Sequence, residues 1–591
     1  MQPAASLERL FYAGEHELVL GRTIDSATGD FPDTDVPYVV GALVFSGRAD
    51  EAQVVYGSWA RRRGNVDVDA DAACRFHLTV AECRAGKYAS AERHARAMLA
   101  RLGATSSPTA RYYFHQAIGL VRHFQGRVVV AVRHATRSRK YAVEARFSYG
   151  RVLALDLLGH ALVLRGASFA GLTVLEQAVR LARGIGLEVF ARTTASAVVV
   201  YKAHYGLSGP DPRESLEERL AELGDADPYS RRLIVTELAR SHALFGEGSK
   251  AEEALAQARA VALPDGDRRA RVRLFLAHAF VAGLREGEQA ARLWLDRAAA
   301  LVDRAVDPAL SLEHAYCQYV VAPLAFACRP PDELRRCASA TGLARAVELA
   351  RGGDGESAPT TTEDAVLALV REVRGRPSSV GGLVASGRLG LLPVCLGRPP
   401  GERVVLDAAL GVMLLESRGE VMRAPIPTEA SLALLLALGG GPRTKERLVL
   451  EVWKQRRYVP ERHDAMVHSG IARLRKCLEP HSRWVVAGDF GYRLAQGVEL
   501  VDVRVSNKES DEVACPDPVV ASPPQAAATF EARTEKVLSL ARLPAGTATR
   551  EVATYLGISD VSAFRLLASM VSEGLVERTG QGRNSRYVAR T

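Results

Sequence analysis

A glycine returns about every forty residues through the N-terminal half of the chain, each time in a short turn. Gly47, Gly86, Gly126, Gly166 and Gly246 are each followed five positions later by a small residue, namely Ala52, Ala91, Ala131, Gly171 and Ala251. Gly206 stands at the midpoint of the one double interval, and Gly287 continues the beat weakly. A fixed period of this length means a repeated supersecondary unit. The glycine ends one helix by taking a left-handed conformation, and the small residue lets the next helix pack closely. Between Ala4 and Gly353 prolines are sparse, and apolar residues recur at three and four, as in AERHARAMLARL and AEEALAQARAVAL, the spacing of amphipathic helices. The repeat therefore predicts a stack of helical hairpins; the competing arrangement is an irregular helical bundle.

A chain of 591 residues is too long for one core. The formal charge of +9 permits an anionic partner without demanding one, because a nucleic-acid footprint is a patch and not an average. The eight cysteines are scattered, with no C-x-x-C pair, and read as reduced thiols and not as metal ligands. The N-terminus has no basic segment leading into an apolar core, and no long apolar run occurs, so a cytoplasmic location and no membrane contact are expected. There is no G-x-x-x-x-G-K-[ST], no H-E-x-x-H and no receiver domain. GGLVASGRLG is glycine-rich but lacks the lysine. No enzymatic activity, metal or cofactor is expected.

The forty-residue hairpins resemble the tetratricopeptide family in its long-period form, with the large aromatics of the pattern kept only in places, as Tyr88 and Phe169. That resemblance implies an α-solenoid of about seven hairpins whose groove holds a peptide, a protein or a small effector. Basic stretches within it, Arg133 to Lys140 and Ala60 to Asn65, read as solvated faces. The array stops in RGGDGESAPTTT; a short helix, EDAVLALVREVRG, follows.

Beyond Gly390 the period changes. ERVVLDAALGVMLLESRGEVMRAPIP reads as a small antiparallel sheet. Three helices follow, with Thr428 and Thr444 as the N-caps of the first two. The strands of RWVVAGDFGYRLA close the unit, with Gly491 supplying the turn. Trp453 at the end of the second helix, IARLRKCLEP and GYRL resemble the OmpR/PhoB-type effector domain. In that family the third helix enters the major groove and the hairpin tip a flanking minor groove. Val467, Ile471, Leu474 and Leu478 share one face and are core, leaving Ser469, Ala472, Arg473 and Lys476 opposite, with His468 and Arg475 at the edges. The resemblance makes Arg473 a candidate for guanine and Arg475 and Lys476 candidates for phosphate. Gly470 and Ala472 stand where relatives often carry longer polar side chains, and Asp489 at the tip opposes a phosphate. Two readings stay open, a DNA head with thinned base contacts or a module for protein contact. The basic flank KQRRYVPERH, Lys454 to His463, favours DNA.

Ser506 to Thr529 is a proline-, alanine- and acid-rich linker. After it, three helices and a strand, glycine-rich turn and strand resemble the MarR/IclR-like winged helix-turn-helix, carried by REVATYLGIS, LLASMVSEGLVER and GLVERTGQGRNSRYVAR. Ala563, Leu567 and Met570 should be core, and Ser562, Arg565 and Ser569 outward. Arg578, Arg583, Asn584, Ser585 and Arg586 suit phosphate or the minor groove. Phe564 is unusual there; it packs on a thymine methyl or a neighbouring subunit, or is an edge aromatic.

The expected fold class is mainly α, a TPR-like α-solenoid followed by two small α+β winged-helix domains. The expected segments are 1–353 helical repeats, 354–389 linker with short helix, 390–504 OmpR/PhoB-like, 505–529 flexible linker and 530–591 MarR/IclR-like. The function implied is a bacterial transcriptional regulator whose repeats sense or recruit a partner and whose winged helices bind promoter DNA. A second reading is a TPR scaffold whose winged helices mediate protein contact or dimerisation. The partners expected are double-stranded DNA and a protein or peptide in the groove, with a homodimer allowed.

Overall fold

A computed structural model describes residues 6–24, 32–63, 66–103, 106–207, 211–224, 227–261, 267–302, 307–321, 365–375, 380–407, 410–425, 427–488, 491–503, 537, 547–556, 560–572, 575–579 and 586–589. They gather into two compact units, one through Ser510 and one from Asp511.

After two short helices, Leu7–Ala13 and His16–Ile24, the first unit runs as helical hairpins: Val36–Phe45 with Ala49–Arg63, Val68–Arg84 with Tyr88–Arg101, Pro108–Phe124 with Val128–Glu144, Ser148–Leu164 with Ser168–Gly184, Glu188–His204 with Arg213–Leu223, Pro228–Leu244 with Gly248–Ala260, and Arg268–Glu286 with Glu288–Ala299. Pro308–Val321 follows. This is an α-solenoid. Gly47, Gly86, Gly126, Gly166, Gly206, Gly246 and Gly287 all have positive φ, so the beat marks left-handed helix ends. Ala52, Ala91, Ala131 and Ala251 are fully buried. At Gly171 a Cβ would stand 2.7 Å from the Val163 backbone nitrogen, so only glycine lets these two helices touch. Two further turns escape the glycine search: Gly186 also has positive φ, and Arg146 takes φ 54 where a glycine would be at ease.

Tyr88 is buried whereas Phe169 lies open on the surface, so only the first of the two family aromatics packs. Arg133, Arg137, Arg139 and Lys140 are exposed, as are Arg61 and Arg62. RGGDGESAPTTT lies outside the described residues.

Strands β1 (Glu402–Asp407), β2 (Val412–Ser417), β3 (Glu420–Ala424) and β7 (Val498–Asp502) form a sheet in the order β3-β2-β1-β7. The first three are antiparallel as expected; β7 joins parallel to β1, pairing Val404 with Leu500. Strand alternation sends neighbouring side chains to opposite faces. Val404, Leu406, Met413 and Leu415 enter one core with the helices that follow. Val405, Val412, Leu414 and Val421 enter the core of the last hairpins. The sheet is therefore buried on both sides, which accounts for the unbroken apolar runs of β1 and β2.

Of the stretch read as linker, 354–389, the described residues 365–375 and 380–389 take part in that second core. Helix Ala365–Gly375 and the short helices Gly381–Ser386 and Leu392–Leu396 bring Leu367, Val370, Leu383, Leu391 and Leu392 into it. At Gly390 a Cβ would lie 1.8 Å from the Ala243 carbonyl oxygen, so this backbone is pressed onto the sixth hairpin. Strand β3 continues the attachment: Val421 N–H donates to the Gly246 carbonyl at 2.9 Å, and Ser249 N–H donates to Glu420 Oε1 at 2.7 Å. The sheet is joined to the solenoid by a backbone bond and a bond to the Glu420 carboxylate.

In the second unit helices Thr549–Leu556 and Asp560–Ser572 precede an antiparallel pair, β8 (Val576–Thr579) and β9 (Arg586–Ala589). Ala563, Leu567 and Met570 are fully buried.

Candidate nucleic-acid interface

Three helices cover the head side of the four-stranded sheet: Glu429–Gly439, Lys445–Glu451 and Pro460–Cys477. Thr428 and Thr444 cap the first two, accepting from Ser431 N–H and Arg447 N–H. The third begins at Pro460, earlier than its apolar spacing suggests, because Pro in the first turn suits a helix start. Strands β4 (Arg443–Thr444), β5 (Val485–Gly488) and β6 (Gly491–Leu494) make a second sheet in the order β4-β6-β5. Gly491 lies within β6 and not at a turn with positive φ. A Cβ there would stand 2.0 Å from the Arg443 carbonyl oxygen, so the glycine serves close strand approach. The tip residue Asp489 lies outside the described residues.

Val467, Ile471, Leu474 and Leu478 are buried. Gly470 is buried beside them, and a Cβ there would stand 2.8 Å from Trp453 Cζ2. Its lack of a side chain is a packing requirement, which corrects the reading of Gly470 as a thinned DNA contact. Arg462, Ala465, Ser469, Ala472, Arg473 and Lys476 are exposed and form a stripe, with exposed Glu461 and His468 along its edge. Over that span an α-helix rises roughly 21 Å, with small side chains between cationic ends.

His468 and Arg475 do a different job from the one the sequence suggested. His468 Nδ1 meets the Tyr492 hydroxyl at 3.2 Å. Arg475 donates through Nε and Nη2 to the Val485 carbonyl at 3.1 and 2.9 Å. Both tie the helix to the hairpin. Arg475 thus spends two of its five N–H groups on β5, a positioning role that the sequence reading as a phosphate contact did not include. Arg473 remains exposed, with Nε 3.4 Å from the Ser469 carbonyl, and Lys476 is exposed.

The loop before this helix is pinned from both ends. Asp464 receives the Tyr458 hydroxyl and pairs with Lys445 at 2.7 Å, which holds its carboxyl below the usual range. Donating that proton to a carboxylate pushes the Tyr458 phenol up to about 12. Val459 N–H donates to His463 Nδ1 at 2.9 Å. Between these anchors Lys454, Arg456 and Arg457 are exposed; with Arg462 they line an open cleft of ≈ 350 Å³. Among the described residues none of these four cations, nor Arg473 or Lys476, has a carboxylate within ion-pair distance. Arg483 and Arg493, absent from the sequence candidates, are exposed on the hairpin side. Strand alternation beside buried Tyr492 was the signal for Arg493.

In the second unit Arg578 is exposed on β8. Arg586 pairs with Glu551 at 3.3 Å, each with about half its side chain open. Such a pair is worth little and opens readily. The Asp560–Ser572 helix carries Ser562 and Arg565, whose side chains lie outside the described residues, as do Arg583 and Asn584. Phe564 is half exposed. Of the tail candidates only Arg578 and Arg586 have described side chains; on the head Ser469, Arg473 and Lys476 share one exposed face, while His468 and Arg475 meet the hairpin.

Among the described residues no helix is long and apolar enough to cross a membrane. No family model and no curated protein matches the chain. Among solved structures, it is similar to a Rap protein complexed with competence and sporulation factor, at 13% identity and a TM-score of 0.41, over 54% of this chain and 90% of that one. It is also similar to the Saccharomyces cerevisiae separase–securin complex, at 10% identity and a TM-score of 0.38, over 79% of this chain and 40% of that one.

Proposed function

We propose that this chain is a DNA-binding regulator in which a helical-repeat body carries a winged-helix head and a second winged helix follows at the C-terminus. The observation that carries the reading is the cationic stripe of Pro460–Cys477 running on from the Lys454–Arg462 loop, without carboxylate partners among the described residues. Glu461 is exposed at the edge of this strip, yet six cations without an ion-pair carboxylate leave a positive surplus that favours a polyanion. Ala465, Ser469 and Ala472 leave the centre of the stripe low, so the helix backbone can approach a groove while Arg462, Arg473 and Lys476 reach the phosphates on either side. Arg473, exposed on the stripe, would read a guanine edge. Arg578 and Arg586 add a weaker contact from the tail, and tethering lets two modest sites bind together.

The groove of the repeats would receive a protein, peptide or small effector, and the head would report its presence. Mapping of DNA bound by the full chain and by an R473A/K476A variant tests the proposal. Discrete sites that fade in the variant are expected. No enrichment with the wild-type chain overturns the reading and leaves the repeats as a protein-contact scaffold.

A further inference from the structure

The helical array meets itself. Tyr88 opens the second helix of the second hairpin, and Asp307 caps the helix after the seventh. They are 219 positions apart, yet the Tyr88 hydroxyl donates to Asp307 Oδ2 at 2.6 Å. Both residues are buried. Three neighbours widen the seam. The Arg269 guanidinium lies 4.9 Å from the centre of the Phe124 ring. A Cβ at Gly86 would stand 3.0 Å from Arg268 Cζ. Val128, from the third hairpin, is fully buried in the core built by the sixth and seventh. The solenoid thus completes a turn, and the tips of its second and third hairpins touch the beginnings of the seventh and the helix after it.

The seam brings the inner faces of the hairpins toward one another. On that face Arg273 and Glu313 pair at 3.2 Å with about a third of each side chain open, and each holds the other charged, lowering the Glu313 carboxyl to about 2. Tyr201 and His123 share this setting.

The hairpins on one side of the seam are also those that hold the head. Gly246 of the sixth bonds β3 through its carbonyl. At Gly419, in the β2–β3 turn, a Cβ would stand 2.7 Å from the Arg285 Cα of the seventh.

We propose that the Tyr88–Asp307 seam is a latch, and that its opening carries the head with the sixth and seventh hairpins as one body. The proposal rests on the effector reading of the groove only for what triggers the latch. Asp307 divides its carboxylate between two tasks. Oδ1 caps the Pro308–Val321 helix by accepting from Leu310 N–H at 3.1 Å, and Oδ2 holds Tyr88. Opening leaves the cap intact while it separates the Tyr88–Asp307 bond, the Arg269–Phe124 contact and the Val128 side chain, so the open form differs by contacts along the seam and not by a fold. An occupant of the inner face needs only a modest preference for one form to shift the balance.

The test uses the full chain, with Y88F to remove one hydroxyl and D307S to keep a capping oxygen too short to reach Tyr88. Losing a charge-assisted hydrogen bond should move the equilibrium toward the open form by roughly ten- to a hundred-fold. In both variants, amides near Tyr88 and Val128 and in the helix after Asp307 should exchange faster together, and the radius of gyration from X-ray scattering should rise. Val421 N–H should keep its protection, since β3 moves with its hairpin. Faster exchange confined to the substituted residue, with scattering unchanged, overturns the latch. Loss of protection at Val421 overturns the claim that the head travels with the hairpins. Neither result depends on DNA affinity, so failure of the DNA-binding reading would be seen separately.

Discussion

Arg475 and Arg473 stand two positions apart on one helix and divide the work. Arg475 is fixed to the Val485 carbonyl, so R475A should lower stability by about 1.5–3 kcal/mol, as for removal of a charged hydrogen bond. R473A should leave the melting temperature unchanged and weaken duplex binding; equal melting shifts for the two variants would contradict the division. Histidine burial gives a second residue-scale expectation. His77 is buried and held down to about 3, chiefly by burial and then by His16. His94, His115, His134 and His278 are held to about 4, each mainly by burial. Each is neutral when folded and takes a proton more readily when unfolded. Stability is therefore full above the unfolded value near 6.5 and declines as pH falls toward the folded values. At pH 5.5 the His77 contribution alone should cost about 1.4 kcal/mol. Melting at pH 7.5 and 5.5 checks this, and H77Q should flatten the difference; an unchanged pH response would refute it.

Elements explain which features could be read in advance. The turn glycines announced themselves because positive φ is costly for other residues, and the apolar faces of the helices follow from spacing alone. Thr428 and Thr444 were legible because capping chemistry is local. What stayed hidden was long-range. Nothing near His468 or Arg475 reveals that Tyr492 and Val485 lie opposite, and nothing near Gly470 reveals Trp453. The parallel strand β7 could not be anticipated, since its partner is nearly a hundred residues away. Arg146 shows the limit of a glycine search, for it adopts φ 54 without being glycine. R146G should relieve that strain and stabilise the unit by roughly 0.5–1 kcal/mol; a lower melting temperature would show that the arginine side chain supplies more than the strain removes. G470A should do the reverse, costing about 1–3 kcal/mol by pressing on Trp453, and thermal melting reads both changes.

At the scale of the whole first unit, repeats and head are not beads on a string. The described part of the segment read as a linker is core, and the sheet is buried on both faces, so a change in the last hairpins is expected to move the cationic surface. The unbroken apolar runs of β1 and β2 were the sequence trace of that two-sided burial. The account rests on that surface meeting a polyanion, and the most direct measurement is the salt dependence of duplex binding by the full chain, read by fluorescence anisotropy. Replacing Arg456, Arg457, Arg473 and Lys476 together by alanine should weaken binding at low salt. It should also flatten the plot of log affinity against log salt by about 0.9 for each phosphate no longer neutralised, or roughly three to four in all. An identical slope in wild type and variant, or no binding by the wild-type chain at low salt, would contradict it.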